Sequence, residues 1–177
     1  LPHPQERKTA LSVVVPCYNE ELVVDTLIDR VTKVCRDQFA DDYEIVLVND
    51  GSTDRTWSKI CDHAARQPQL TGVDLARNHG HQLALTAGLA VCRGDLVLVI
   101  DADLQDPPEL LPQMLEKVRQ GFDVVYGMRQ KRRGETLFKR ASAAGFYRLL
   151  DRLIDIPIPP DTGDFRLMTR PVVDQLN

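Results

Sequence analysis

The sequence predicts an α/β protein with a mostly parallel sheet flanked by helices on both faces. Apolar runs of strand length recur along the chain, and the run at 95–100 is continuously apolar after its first residue. Such a run is typical of a strand buried on both faces of a parallel sheet. Between these runs the apolar residues recur at helical spacing. The resulting βαβαβαβαβ order favours right-handed crossovers and therefore parallel neighbouring strands.

Turn residues and apolar periodicity mark the first elements. Residues 11–15 are predicted to be a strand, and the turn after it offers Asn19 as the N-cap of a helix that runs to about residue 36. The second predicted strand, at 43–48, leads into the turn 49–54. The last residues of that turn are suited to cap the next helix, which carries Trp57.

The later elements repeat the same alternation. Two prolines after the central strand suit the first turn of a helix, whereas the three prolines within 156–160 exclude a helix there. In order, the predicted elements are a strand at 70–75, a helix carrying Leu83, Ala84, Ala87 and Val91, the strand at 95–100, a helix at 107–120, a strand at 123–127, a basic loop at 130–135, a helix to about 153, and a turn at 161–168 that enters a short strand.

Length and composition indicate one ordinary globular domain. The 177 residues are 43% hydrophobic and 27% charged, and the net charge of −4 argues against a general nucleic-acid binder. Four widely spaced cysteines form no CxxC pair, so we expect them to be reduced. We expect residues 1–10 to be a flexible lead-in and 11–177 to be the domain, cut short at its C-terminus, with membrane segments of a longer parent protein absent.

The charges are unevenly distributed. Residues 129–152 contain eight Lys and Arg against two acids, a net charge of +6, which leaves −10 for the rest of the chain. A basic strip on an acidic protein suits a phosphate ligand or an anionic membrane surface. The predicted helix within it could lie on a bilayer or could be a core helix with a solvated charged face.

Acidic residues follow the central strand directly, in the stretch Asp101-Ala102-Asp103-Leu104-Gln105-Asp106. In an extended segment Asp101, Asp103 and Gln105 would project to one side, and their oxygens suit Mg²⁺ or Mn²⁺. The alternative is a solvated acidic loop with Asp106 as the N-cap of the next helix. We expect Asp106 to cap and the other two acids to bind a cation.

Polar side chains also follow the other predicted strands, and the carboxyl ends of parallel strands are where such sheets bind ligands. They are Tyr18, Glu20, Asp50, Arg77 and Arg129. His79-Gly80-His81 is interpreted as a loop-to-helix element rather than a metal site. The chain contains no GxGxxG after its first strand, no GxxxxGK[ST] and no GxSxG, which argues against a dinucleotide dehydrogenase, a Walker-type phosphate site and an α/β-hydrolase. A diphosphate bound without a glycine-rich loop requires a metal and basic side chains.

Four stretches resemble the inverting family-2 glycosyltransferases with the GT-A (Rossmann-like) fold. They are Val14-Val15-Pro16-Cys17-Tyr18-Asn19-Glu20, Val48-Asn49-Asp50-Gly51-Ser52-Thr53-Asp54, Asp101 to Pro108, and Gly163-Asp164-Phe165-Arg166-Leu167-Met168. The third and fourth stretches resemble the polyprenyl-phosphate branch in particular, which includes dolichol-phosphate mannose synthases and bacterial polyprenyl-phosphate glucosyltransferases.

This resemblance implies a role for each matching residue. The nucleotide-sugar would be bound by Pro16, Tyr18, Glu20, Asp50, Asp101, Ala102 and Arg129. The metal would be bound by Asp101, Asp103 and Gln105. The acceptor phosphate would be contacted by Arg129, Arg133, Lys139 and Arg140. The catalytic residues would be Asp103, Asp164 and Arg166.

The function implied is inverting transfer of a sugar, with UDP-glucose as the expected donor, to polyprenyl phosphate at the cytoplasmic face of a membrane. Asp164 is either a base or a residue that positions the sugar and an arginine, and we favour positioning. The alternatives are a transferase acting on a hydroxyl acceptor, for which Asp164 would be the base, and a nucleotide-sugar-binding domain without catalysis. A homo-oligomer is left open.

Overall fold

The computed structural model describes residues 9–128 and 162–176. Its strands are β1 (Thr9–Cys17), β2 (Tyr43–Asn49), β3 (Leu70–Asp74), β4 (Gly94–Val99), β5 (Val124–Met128) and β6 (Thr162–Thr169). Its helices are α1 (Val24–Phe39), α2 (Thr56–Ala64), α3 (His81–Val91), α4 (Leu111–Arg119) and α5 (Arg170–Leu176). A short 3₁₀ turn, Pro108–Leu110, precedes α4. Each strand and helix predicted within these ranges is present.

The six strands form one sheet in the order β3-β2-β1-β4-β6-β5. β1 lies between β2 and β4 and is parallel to both, and β2 is parallel to β3. The predicted mostly parallel sheet is thus confirmed. β6 departs from it, because it pairs antiparallel to β4, with Arg166 opposite Val99 and Leu167 opposite Leu98.

Both faces of the sheet are buried, as the continuous apolar strands predicted. Along β1, Val13 and Val15 belong to the core beneath α1, α2 and α4, whereas Val14 belongs to the core beneath α3 and α5. Gly88 lets α3 approach the sheet closely, since a Cβ there would lie 2.4 Å from Val14 Cγ1. The strands are therefore held from both sides, and their carboxyl ends are fixed in position. In the part of the chain that the structure describes, no helix has both the length and the apolar character needed to cross a bilayer.

The loop after β1 is fixed by the loop after β2. Asn19 has a left-handed φ of 56° and does not cap α1, which begins at Val24. Instead its backbone N–H donates to Ser52 Oγ at 3.0 Å, and its side-chain Oδ1 accepts the backbone N–H of Thr53 at 2.9 Å. The predicted N-cap role is thus wrong, because the side chain satisfies a neighbouring loop rather than its own helix.

The acidic stretch after β4 is not extended. Residues 102–104 turn, and Leu104 has a left-handed φ of 61°. The premise that Asp101 and Gln105 project to the same side by strand alternation is therefore wrong. Asp106 lies one residue before the cap position of the 3₁₀ turn, which Pro107 occupies, and is buried rather than solvated. Its predicted N-cap position is wrong by one residue.

Candidate active site

A cleft of about 300 Å³ opens at the carboxyl ends of β1, β2 and β4. Seven residues that the sequence assigned to nucleotide-sugar or metal binding line it: Pro16, Tyr18, Glu20, Asp50, Asp101, Ala102 and Asp103. They converge because the three strands are parallel and end at one edge of the sheet. His81, Asn78 and Gly80 also line the cleft, from the loop that enters α3.

Asp50 fixes the loop that leads into α3. The residue is 3% exposed, and its Oδ1 and Oδ2 accept the backbone N–H groups of His79 and Gly80 at 2.7 and 2.9 Å. Gly80 has a φ of 91°, a conformation that L side chains rarely adopt. Asp50 thereby determines where α3 begins and where its first side chain, His81, is presented. Its role toward a nucleotide base remains a prediction.

The opposite wall of the cleft, which carries Tyr18 and Glu20, is held by the loop before α2. Glu20 N–H donates to Thr56 Oγ1 at 2.8 Å, and Glu21 N–H donates to Asp54 Oδ2 at 3.1 Å. Asp54 also accepts the N–H of Thr56 at 2.9 Å, but the cap position of α2 is Arg55, so the predicted capping position within 49–54 is wrong by one residue. These hydrogen bonds within the protein fix the wall, and a fixed wall reduces the entropy cost of binding. Tyr18 is 46% exposed, which leaves its ring available for stacking.

Asp101, Asp164 and His81 meet at one end of the cleft. His81 Nε2 lies 2.9 Å from Asp164 Oδ2 and 3.5 Å from Asp101 Oδ1. The ligand atoms of the three residues all lie within 4.8 Å of one another, and Arg166 donates from a guanidinium N–H to Asp164 Oδ1 at 3.3 Å. The antiparallel pairing of β6 with β4 brings Asp164 here from 63 positions away in the sequence.

Negative charge accumulates at this end of the cleft. The pKa of Asp101 is raised, mainly by burial, and the charges of Asp164, Asp103 and Asp106 add to that effect, while His81 opposes it. The pKa of Glu20 is also raised, first by burial and then by Asp103, Asp54 and Asp101.

The donor set fits a divalent cation. Asp101 Oδ1 is buried and accepts no hydrogen bond from the described residues, a condition that costs free energy unless a cation or a donor satisfies the oxygen. An ion here would also neutralise the crowded carboxylates. Asp101 is therefore well placed as a ligand. Asp103 lines the cleft but is exposed, with its Oδ1 accepting the N–H of Gln105 at 3.0 Å.

His81 was missed as a member of this group when His79-Gly80-His81 was interpreted only as a loop-to-helix element. That interpretation is correct for the backbone, since His81 is the first residue of α3. The position of His81 after β3 could have indicated a role in the site, because residues that follow a parallel strand lie at the ligand-binding edge of the sheet. The phosphate-contacting predictions, Arg129, Arg133, Lys139 and Arg140, and the basic segment 129–152 lie outside the described residues and remain predictions.

Known proteins resemble this chain over nearly its whole length. A model of the family described as glycosyl transferase family 2 matches residues 12–176. The chain is 51% identical over 170 residues to the uncharacterized glycosyltransferase YkcC of Bacillus subtilis, covering 96% of this chain and 52% of that protein. It is 46% identical over 161 residues to an undecaprenyl-phosphate 4-deoxy-4-formamido-L-arabinose transferase of Aeromonas hydrophila, covering 90% and 48%.

The prophage bactoprenol glucosyl transferase homolog of Escherichia coli is 38% identical over 166 residues, covering 94% of this chain and 54% of that protein. This chain thus spans about half the length of these relatives. Among solved structures, the mannosyltransferase PcManGT from Pyrobaculum calidifontis, in complex with GDP-Man and Mn²⁺, matches with a TM-score of 0.69 at 24% identity, over 97% of this chain and 47% of that one. This likeness confirms the predicted GT-A fold.

Proposed function

Since the chain belongs to glycosyl transferase family 2, we propose that the full protein transfers a sugar from a nucleotide-sugar to polyprenyl phosphate. The relatives named for undecaprenyl phosphate and bactoprenol support this acceptor. A phosphate oxygen of the lipid would attack the anomeric carbon of the sugar. The bond from that carbon to the donor diphosphate would break, the nucleoside diphosphate would leave, and the configuration would invert.

The observation that carries this proposal is the cleft itself, whose lining combines the exposed ring of Tyr18 with a group of carboxylates. Tyr18 and Asp50 would bind the nucleoside, and Asp101 and Asp103 would bind the diphosphate with its cation. A Mg²⁺ or Mn²⁺ ion held by these acids would stabilise the charge that develops on the leaving diphosphate. The assignment of Gln105 as a further ligand is retained as part of the proposal.

The lipid phosphate does not need a strong base. Its second pKa is about 6 if it behaves as other phosphomonoesters do, so it is largely dianionic at neutral pH. Asp164 instead bonds His81 and Arg166, which supports the positioning role over that of a base. The net charge of +6 in residues 129–152 would help an anionic acceptor approach two other phosphates.

The sugar is proposed to be glucose, carried by UDP. The bactoprenol glucosyl relative supports glucose, whereas the more similar A. hydrophila relative is named for a formamido-arabinose. A lipid acceptor implies that the reaction takes place at a membrane, and we propose its cytoplasmic face, with the full protein anchored there.

One assay tests these proposals. The full-length protein is incubated with Mg²⁺ or Mn²⁺, polyprenyl phosphate and a panel of radiolabelled nucleotide sugars that includes UDP-glucose, and label is followed into the organic phase. Label in the lipid supports the proposal, and the donor that gives it identifies the sugar. Product formed only with hydroxyl acceptors, or donor binding without turnover, would contradict it and favour the two alternatives raised from the sequence.

A further inference from the structure

We propose that His81 is a nitrogen ligand of the cation in this cleft, and that it makes the site prefer a transition-metal ion such as Mn²⁺ over Mg²⁺. The three groups involved are the imidazole of His81 and the carboxylates of Asp101 and Asp164, whose ligand atoms lie within 4.8 Å of one another. The inference rests on the proposed function for the presence of a cation. It adds a ligand that the aspartate-rich stretch alone does not supply.

The position of His81 is determined by the fold rather than by its own side-chain contacts. Asp50, buried beneath the loop, holds the backbone N–H groups of the two residues before His81. Gly80 then turns the chain with its φ of 91°, and α3 is anchored by Ala84 and Leu85 in the core. The imidazole is thus presented to the acids by a rigid scaffold, as a precise metal site requires.

Two features of the geometry favour ligation over a purely structural ion pair. The imidazole is 41% exposed and lines the cleft, so an entering cation can reach it. Its Nε2 is 3.5 Å from Asp101 Oδ1, and that buried oxygen accepts no hydrogen bond from any described residue. The histidine therefore satisfies one acid, whereas the oxygen of the other, 3.5 Å from the same nitrogen, has no hydrogen-bond partner among the described residues. A cation bound by His81 and Asp101 would satisfy that oxygen.

The chemistry of the donor set predicts which ion is preferred. Imidazole suits transition metals, whereas Mg²⁺ prefers an all-oxygen octahedral shell and loses its water reluctantly. Nε2 donates its proton to Asp164 in one tautomer, and in the other tautomer it presents a lone pair to a metal. One nitrogen and two carboxylates therefore discriminate against Mg²⁺ more strongly than three oxygen ligands would.

The test is binding of Mn²⁺ to the full-length protein, followed by electron paramagnetic resonance. Pulsed measurements detect the hyperfine coupling of a directly coordinated nitrogen, and histidine-selective ¹⁵N labelling assigns that coupling to imidazole. The variant is His81→Gln, which retains an N–H donor for Asp164 but removes the imidazole. The matched control is His79→Gln, because His79 is exposed, two residues away, and among the described residues its contact at the cleft is the backbone N–H that it donates to Asp50.

We expect imidazole coupling in the unmodified protein and in His79→Gln, and none in His81→Gln. Mn²⁺ affinity should fall about tenfold or more in His81→Gln, while Mg²⁺ affinity changes much less. Absence of imidazole coupling in the unmodified protein, or its persistence in His81→Gln, would overturn the inference. Neither measurement requires sugar transfer, so transfer without imidazole coupling refutes only this inference, and coupling without transfer refutes only the proposed function.

Discussion

Arg166 and Asp164, two positions apart on β6, form an ion pair of 3.3 Å at the acidic end of the cleft. Both side chains are mostly buried, with exposed fractions of 19% and 26%. Residues i and i+2 of a strand share a face, so the pairing follows directly from strand geometry. The arginine keeps the carboxylate in one orientation beside His81.

This pairing leads to a prediction for Asp164→Asn. If Asp164 positions its neighbours, the variant should retain measurable transfer, with kcat lowered about 10- to 100-fold and an unchanged pH profile. A general base would instead cost up to about 10⁴-fold and remove the acidic limb of the profile. The measurement is kcat for lipid glycosylation between pH 5 and 9. Loss of the acidic limb in the variant would mean that Asp164 acts as a general base.

Asp103→Ala should abolish transfer and leave the fold intact. Asp103 is exposed, and the one hydrogen bond that the structure shows it accepting comes from Gln105 within the same turn, so we expect its removal to change the free energy of unfolding by less than about 1 kcal/mol. Transfer and thermal unfolding are measured on the same preparation. Asp62→Ala, an exposed acid on α2, is the matched control and should be active. Loss of cooperative unfolding in Asp103→Ala alone would mean that the acid is structural.

Gly88→Ala should destabilise the protein even though alanine is the better helix former. The added methyl would lie 2.4 Å from Val14 Cγ1 and 3.0 Å from Val48 Cγ2, so α3 or the sheet must shift. Overpacking of this kind costs about 1–3 kcal/mol. We expect a lower urea midpoint in equilibrium unfolding, whereas Thr86→Ala on the exposed face of the same helix should have almost no effect. An unchanged midpoint in Gly88→Ala would mean that α3 packs on β1 loosely enough to accommodate the added methyl group.

The ion cluster that joins α1 to α2 should contribute a pH-dependent part of the stability. Asp25 Oδ2 accepts from Lys59 Nζ at 2.5 Å and Asp25 Oδ1 lies 3.0 Å from His63 Nε2, and the hydrogen bond from Lys59 is the main cause of a pKa below the usual 3.8. A pKa lowered by folding stabilises the protein above the unfolded value, and this contribution is lost as the pH falls through the folded value.

Asp25→Asn should therefore reduce the free energy of unfolding at pH 7 and have less effect near pH 3. Urea titrations at the two pH values measure the difference. Asp37→Asn, an exposed acid on the same helix, serves as the control and should show no such pH dependence. An equal loss at both pH values in Asp25→Asn would mean that the aspartate acts through packing rather than through its charge.

Local sequence patterns predicted the elements of the fold and most of the cleft. Apolar runs and turn residues predicted β1 to β4 within two residues at each end, because β1, β2 and most of β4 are buried on both faces and each turn has its own chemistry. The rule that ligands bind at the carboxyl ends of strands then placed Glu20, Asp50 and Asp101 together.

What the sequence did not reveal depends on contacts between distant segments. The direction of β6 is set by its pairing with β4, because the apolar pattern of a short strand is the same for parallel and antiparallel pairing. Asn19 is a residue type that often caps helices, yet here it forms hydrogen bonds with Ser52 and Thr53 of the neighbouring loop. His81 at the start of α3, Asp101 after β4 and Asp164 in β6 come together only through the tertiary fold, which no spacing in the sequence encodes.

Because β6 pairs antiparallel with β4, the position of Asp164 does not depend on the length of the chain between β5 and β6. The pairs Leu98–Leu167 and Val99–Arg166 lock the strand by its own hydrogen bonds and buried side chains. Insertions or deletions between β5 and β6 would therefore leave the acid where it is. Under the proposed function, that connection can vary to suit different lipids or sugars while the group of His81, Asp101 and Asp164 stays in place.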